Sequence, residues 1–211
     1  MTGQGRVIAI DGPSGSGKTT VAREVASRLG VEHLDTGAMY RGVALAALRR
    51  GVDAGDEEAV ARLARDVRIE VGDRVVVDGA DATADIRSDE VTAAVSQVAS
   101  NARVRAEMVR RQREWAELRG GGVVEGRDIG TVVFPDADLK VYLTAGDSER
   151  ARRRSAETGG ERDTVAADMA RRDQADSART ASPLKPADGA VVLDTSDLSV
   201  DEVVEEVMGR L

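Results

Sequence analysis

The chain has 211 residues, no cysteine and a formal net charge of −8, a length that suits one compact α/β domain with small insertions rather than two large domains. Without cysteine there is no disulfide, thiolate zinc site or cysteine nucleophile, which agrees with a reducing compartment and makes the cytosol the expected location. The acidic balance opposes binding of long polyanions, and Tyr40, Trp115, Phe134 and Tyr142 are too scattered for a base-stacking platform. Residues 1–6 hold no apolar leader core and no run reaches membrane-spanning length, so neither nucleic acid nor a membrane is an expected partner.

Residues 6–11, Arg-Val-Ile-Ala-Ile-Asp, form a short β-branched run suited to a buried parallel strand. A helix is expected over 18–29, where Val21, Ala22, Val25, Ala26 and Leu29 recur at helical spacing before Gly30. A second helix follows Leu34-Asp35-Thr36-Gly37 and runs to Gly51, and Asp56 can cap a third carrying Val60, Leu63 and Ala64. The pattern then changes. Residues 67–71, 74–77 and 82–86 read as short strands separated by Gly72-Asp73 and Asp78-Gly79, a small antiparallel insert. Helical patterns return at about 89–99 and 103–118 and stop at Gly120-Gly121-Gly122. Val123 to Glu125 and Leu139 to Leu143 are strand candidates, followed by an Arg-rich helix at 147–157 and another at about 163–178. Val191 to Asp194 is the last strand, and Ser199 to Glu202 is a capping box opening the final helix. Strands alternating with helices imply a parallel sheet covered on both faces.

Between the first strand and the first helix lies Gly12-Pro13-Ser14-Gly15-Ser16-Gly17-Lys18-Thr19, which fits GxxxxGK[ST], the P-loop. Its glycines let successive backbone N–H groups converge on phosphate oxygens, and the helix start adds positive potential. Lys18 is one of only three lysines, with Lys140 and Lys185, and reaches the outer phosphates, while the Thr19 hydroxyl can hold Mg²⁺. The sole asparagine, Asn101, is followed by Ala102, so there is no Asn-Lys-x-Asp guanine reader and the GTPase reading closes.

Three further constellations bear on the acceptor. In Leu34 to Arg41, the Thr36 hydroxyl near a helix start can bond a phosphate oxygen that Arg41 clamps; the bland reading is a capped helix with a surface arginine. In Val124 to Asp128 a strand end delivers Glu125, Arg127 and Asp128 to the carboxyl edge of the sheet, where open α/β folds bind ligands, the alternative being a salt-bridged loop pair. Arg172, Asp176 and Arg179, spaced by four and three, share one helical face as either an ion-pair ladder or a grip on sugar and phosphate. Among Arg150, Arg152, Arg153 and Arg154, the pair Arg150 and Arg154, four apart, is the one expected to face a common site, a solvated face being the rival reading.

Taken in order, GPSGSGKTT (12–20), LDTGAMYR (34–41), VSQVAS (95–100), RVR (103–105), RRQR (110–113), EGRDIGTVVFPDADLKVYL (125–143) and RDQADSAR (172–179) resemble the bacterial cytidylate kinases, from about residue 6 to the end. The resemblance implies a P-loop NTPase fold with a central parallel sheet flanked by helices, and a core at about 1–35, 100–146 and 178–211. It also implies a monophosphate-binding region with its β insert at about 36–99 and an Arg-rich lid at about 147–177. The implied reaction is Mg²⁺-assisted transfer from ATP to CMP or dCMP by a cytosolic monomer, with residues 12–20, Thr20 included, holding ATP. Thr36, Arg41, Arg127 and Arg179 would then hold the acceptor phosphate, Ser96, Arg105 and Asp128 read the cytosine, and Arg172 and Asp176 hold the sugar. Asn101-Ala102-Arg103 stands where family members often have proline, and Thr36 where they often have serine, the latter change keeping the hydroxyl.

Such chemistry needs no strong general base, because a nucleotide phosphate is already ionised at neutral pH; Lys18, Mg²⁺ and arginines suffice, and His33 receives no catalytic role. A closing lid would keep water out. The rivals are a kinase for UMP or another small acceptor, and a nucleotide-binding switch or hydrolase that ignores CMP.

Overall fold

The computed structural model describes residues 5–179 and 182–211; residues 1–4, part of the stretch read above as lacking a leader core, lie outside the described residues. The chain divides into two compact units, one formed by residues 1–33 with 116–211 and the other by residues 34–115.

The first unit is built on β1 (Val7–Asp11), whose neighbours are β6 (Gly122–Gly126) and β7 (Leu139–Thr144). Both pair with it in parallel, and β8 (Val191–Asp194) extends the sheet beyond β7. With β2 (His33–Asp35) beside β6, the five-stranded order is β2-β6-β1-β7-β8. Register places Asp11 opposite Gly126 on one side and Tyr142 on the other, so the loops that leave β1 and β6 emerge together at the carboxyl edge. α1 (Lys18–Leu29) and α8 (Val200–Met208) cover one face, with Val21, Val25, Val203, Val204 and Val207 packed on Ile8, Ile10, Val123 and Val141. Ala9 and Val124, which alternate to the opposite face, are equally buried, as a doubly covered parallel sheet requires. α6 (Asp147–Thr158) and α7 (Arg162–Ser177) pack on each other.

The unit 34–115 is gathered around α2 (Thr36–Arg49), which touches α3 (Glu57–Asp66), α4 (Asp89–Ser100) and the three-stranded sheet β3 (Ile69–Val71), β4 (Val75–Val77) and β5 (Ala80–Asp81). The two-residue turn between β4 and β5 is Asp78-Gly79, both with positive φ (51° and 82°), the mirror-image turn that suits a twisted hairpin. Residues 82–86 are not a strand. Asp81 Oδ1 accepts from the Thr83 N–H at 2.9 Å while Thr83 Oγ1 accepts from Val75 N–H at 3.0 Å. Side chains thus take over the ladder, and Asp85–Arg87 winds into a 3-10 turn instead.

α5 (Ala102–Arg119) starts at Asn101, whose Oδ1 accepts from the N–H groups of Arg103 (3.0 Å) and Val104 (3.3 Å), while its Nδ2 donates to Glu57 O at 2.8 Å. Asn101 is thus the N-cap of the helix, its side chain taking up N–H groups of the first turn. Two further differences from the sequence expectation are β2, three residues long, and a π-helical turn at Ile129–Val133. α7 ends at Ser177, so Arg179 lies beyond the helix rather than on its face.

Candidate active site

The loop after β1 needs glycine at Gly12, Gly15 and Gly17, all with positive φ. At Gly12 (φ 146°) a Cβ would come within 2.0 Å of Leu143 O, and Gly17 (φ 84°) turns left-handed to open α1. Ser16 Oγ donates to Pro13 O at 3.0 Å, and Lys18 Nζ donates to the same carbonyl at 2.6 Å, so the lysine lies over the loop it closes. Burial, and then the neighbouring Arg127, bring the Lys18 ammonium down to about 7. A cation so poorly compensated is one that gains much from polyanionic phosphate.

Behind it, Asp11 accepts from the N–H groups of Ile129 and Gly130, both at 2.8 Å, and so anchors the turn that follows β6. Burial pushes its carboxyl up to about 6 in spite of those two donors. At the end of β6, buried Glu125 accepts from the Thr19 hydroxyl at 3.0 Å and faces His33 Nε2 at 2.9 Å. Asp128 is buried at the start of the π-helical turn.

Around this edge the arginines are braced by carboxylates. Asp176 holds Arg127 Nε at 3.1 Å and also pairs with Arg179, so those three residues are one assembly. Arg172 is half-buried, its proton affinity lowered by loss of water and then by Arg127, with Arg154 adding to the repulsion. Arg150 donates to Ser14 O at 2.9 Å and pairs with Asp173, whose Oδ1 accepts from Ser14 N–H at 3.4 Å. Arg154 pairs with Glu157 at 3.0 Å. The arginine that helical spacing passed over is Arg153, which donates to Thr195 Oγ1 at 2.9 Å and Thr195 O at 2.6 Å. It is also 3.7 Å from where a Cβ on Gly17 would stand. Glu149, four residues before Arg153 and bonded to it at 2.8 Å, was the available signal.

The candidates at 34–115 form a group of their own. Thr36 is buried at the first turn of α2, behind Asp35, whose Oδ1 accepts from Ala38 N–H at 3.1 Å. Arg41 Nη1 donates to Ile86 O at 3.2 Å and Thr92 Oγ1 at 3.1 Å, one helical turn before half-buried Ser96 on α4. Buried Arg105 donates to Ala99 O at 3.2 Å and lies 5.5 Å from the Tyr40 ring centroid.

A phosphate cradle at the carboxyl edge of a parallel sheet, lined by arginines, is suited to phosphoryl chemistry on a nucleotide. Similarity to known proteins makes the chain a P-loop kinase, of the nucleoside monophosphate kinase class. More narrowly, the model of the cytidylate kinase family matches residues 8–211, and the chain belongs to that family. A cytidylate kinase of Mycolicibacterium paratuberculosis is 50% identical over 211 residues, covering 95% of this chain and 92% of that protein. One from Geobacillus kaustophilus is also 50% identical, over 95% and 94%. A bifunctional pantoate ligase/cytidylate kinase of Trichormus variabilis is 45% identical over 96% of this chain but only 40% of its own length. Among solved structures, a sugar kinase from Janibacter shares the fold, with a TM-score of 0.52 and 16% identity over 97% of this chain and 93% of that one. A Thermus thermophilus protein is alike, with a TM-score of 0.52 and 22% identity over 99% and 98%.

Proposed function

We propose that the chain transfers the terminal phosphoryl group of ATP to CMP and dCMP, giving ADP and the diphosphates, as a cytosolic monomer. What carries the reading is membership of the cytidylate kinase family over nearly the whole chain, joined to a P-loop with a buried lysine. The loop 12–20 binds the donor, and Lys18 neutralises charge on the group in flight. Thr36, Arg41, Arg127 and Arg179 are assigned to the acceptor phosphate. Ser96, Arg105 and Asp128 are assigned to the cytosine, Arg172 and Asp176 to the sugar, and Arg150 and Arg154 to a lid formed by α6 and α7. Since the acceptor is already an anion, these groups position and neutralise rather than remove a proton.

The donor set suits Mg²⁺. Thr19 offers a hydroxyl 3.0 Å from the Glu125 carboxylate, and among the described residues no cluster of three or more His, Cys, Asp and Glu side chains forms an all-protein cage. Magnesium is commonly held in this way, by few protein oxygens and the nucleotide's own phosphates, and when bound it supplies charge neutralisation to them. The deciding experiment offers ATP, Mg²⁺ and each nucleoside monophosphate separately. CMP and dCMP are expected to be the best acceptors; preference for UMP, or ATP turnover indifferent to CMP, would sink the proposal.

A further inference from the structure

We infer that His33 is a positioning residue for the divalent cation that accompanies the donor nucleotide, acting through Glu125. The inference rests on the donor half of the function proposed above, not on the acceptor.

A glutamate has three rotatable side-chain bonds, and one that serves a metal must be held still. Glu125 is held at both oxygens: Oε2 accepts from the Thr19 hydroxyl at 3.0 Å, and Oε1 stands 2.9 Å from His33 Nε2. A carboxylate only accepts, so the imidazole presents Nε2–H to it. Both partners are shielded, the Glu125 side chain being 4% exposed and that of His33 13%, so water competes little for either oxygen. The clamp is also well placed. His33 opens β2, the strand next to β6, and Glu125 sits near the carboxyl end of β6. There the carboxylate's charge is felt at Lys18 and its free orientations are reduced to the one beside Thr19. These are the two P-loop side chains assigned to the triphosphate and its cation. His33 is the only histidine in the chain, and its ring makes this contact with a carboxylate rather than with solvent. Partners that orient metal-serving side chains in this way are typically worth about 10- to 100-fold in metal affinity.

The test uses Mn²⁺ as the probe, its free concentration followed by electron paramagnetic resonance, with full-length protein and ADP and no acceptor present. His33→Phe is expected to weaken Mn²⁺ binding to the enzyme–ADP complex about tenfold, while ADP affinity without metal stays within about twofold. His33→Gln, which keeps an N–H donor at similar reach, should restore Mn²⁺ binding to within about threefold of wild type, and Glu125→Gln should resemble His33→Phe. Thermal unfolding of each variant is run alongside, and His33→Asn, too short to reach Oε1, takes the place of His33→Phe should the latter not fold. Unchanged Mn²⁺ affinity in the Phe or Asn variant, equal loss of metal-free ADP, or failure of the Gln variant to restore binding overturns the inference. Wild type that binds Mn²⁺ and ADP but does not phosphorylate CMP would overturn the acceptor reading and leave this one standing; wild type that binds neither overturns both.

Discussion

Asp11→Asn tests how the centre of the site is held. Asp11 is buried and its carboxyl is pushed up to about 6 from the usual 3.8, first by loss of water and against the pull of the Ile129 and Gly130 amides. A folded-state value above the unfolded one means that stability is greatest below about pH 4 and is lost as pH rises through about 6. A rise of about two units corresponds to about 3 kcal/mol in all, of which about 1.4 kcal/mol falls between pH 5 and pH 7.5. The asparagine variant cannot titrate. It also turns an N–H towards one of the two backbone donors, a cost of about 1 to 3 kcal/mol that does not depend on pH. The variant should therefore recover about 1.4 kcal/mol relative to wild type on going from pH 5 to pH 7.5, measured by urea unfolding of both proteins at the two pH values. A stability difference constant to within about 0.4 kcal/mol would refute the argument that burial governs this carboxyl.

Lys18→Met should lower turnover by orders of magnitude yet raise the thermal midpoint, because the lysine ammonium is held down to about 7 by burial; steady-state kinetics and calorimetry measure the two effects. Asp128→Ala is expected to blunt discrimination between CMP and other monophosphates while ATP binding persists, and equal loss of both, seen by calorimetric titration, would remove its base-reading role. Ser199→Ala breaks a complete capping box, in which Ser199 Oγ accepts from Glu202 N–H at 3.3 Å and Glu202 Oε2 accepts from Ser199 N–H at 2.8 Å. It should cost about 1 kcal/mol, or about 2 to 4 °C in Tm, with activity unchanged.

What could be read from the residues was whatever local chemistry dictates. The loop between β1 and α1, the Asp56 cap, the Asp78-Gly79 turn and the Ser199 box each depend on a few adjacent residues, and each stands where the sequence puts it. The failures arise where side-chain hydrogen bonds or distant groups decide. The strand expected at 82–86 is lost to hydrogen bonds that Thr83 makes with Val75 and Asp81. The π-helical turn after β6 follows from Asp11, more than a hundred residues earlier, capturing two amides. β2 is too short to show a period, and with it the approach of His33 to Glu125 was invisible, so the histidine looked idle. Arg153 was passed over because counting along a helix says which residues share a face, not which of them meets Thr195.

The pairing of β1 has a bearing on how the chain is made. Its partners begin at Gly122 and Leu139, so β1 stands without those neighbours while more than a hundred further residues are added, roughly ten seconds of synthesis. Residues 34–115 draw on one continuous stretch of chain and can collect their contacts during that interval, at small loop-closure cost. The nucleotide loop, joined to β1, thus waits for strands made long after it before the sheet edge that carries it is complete.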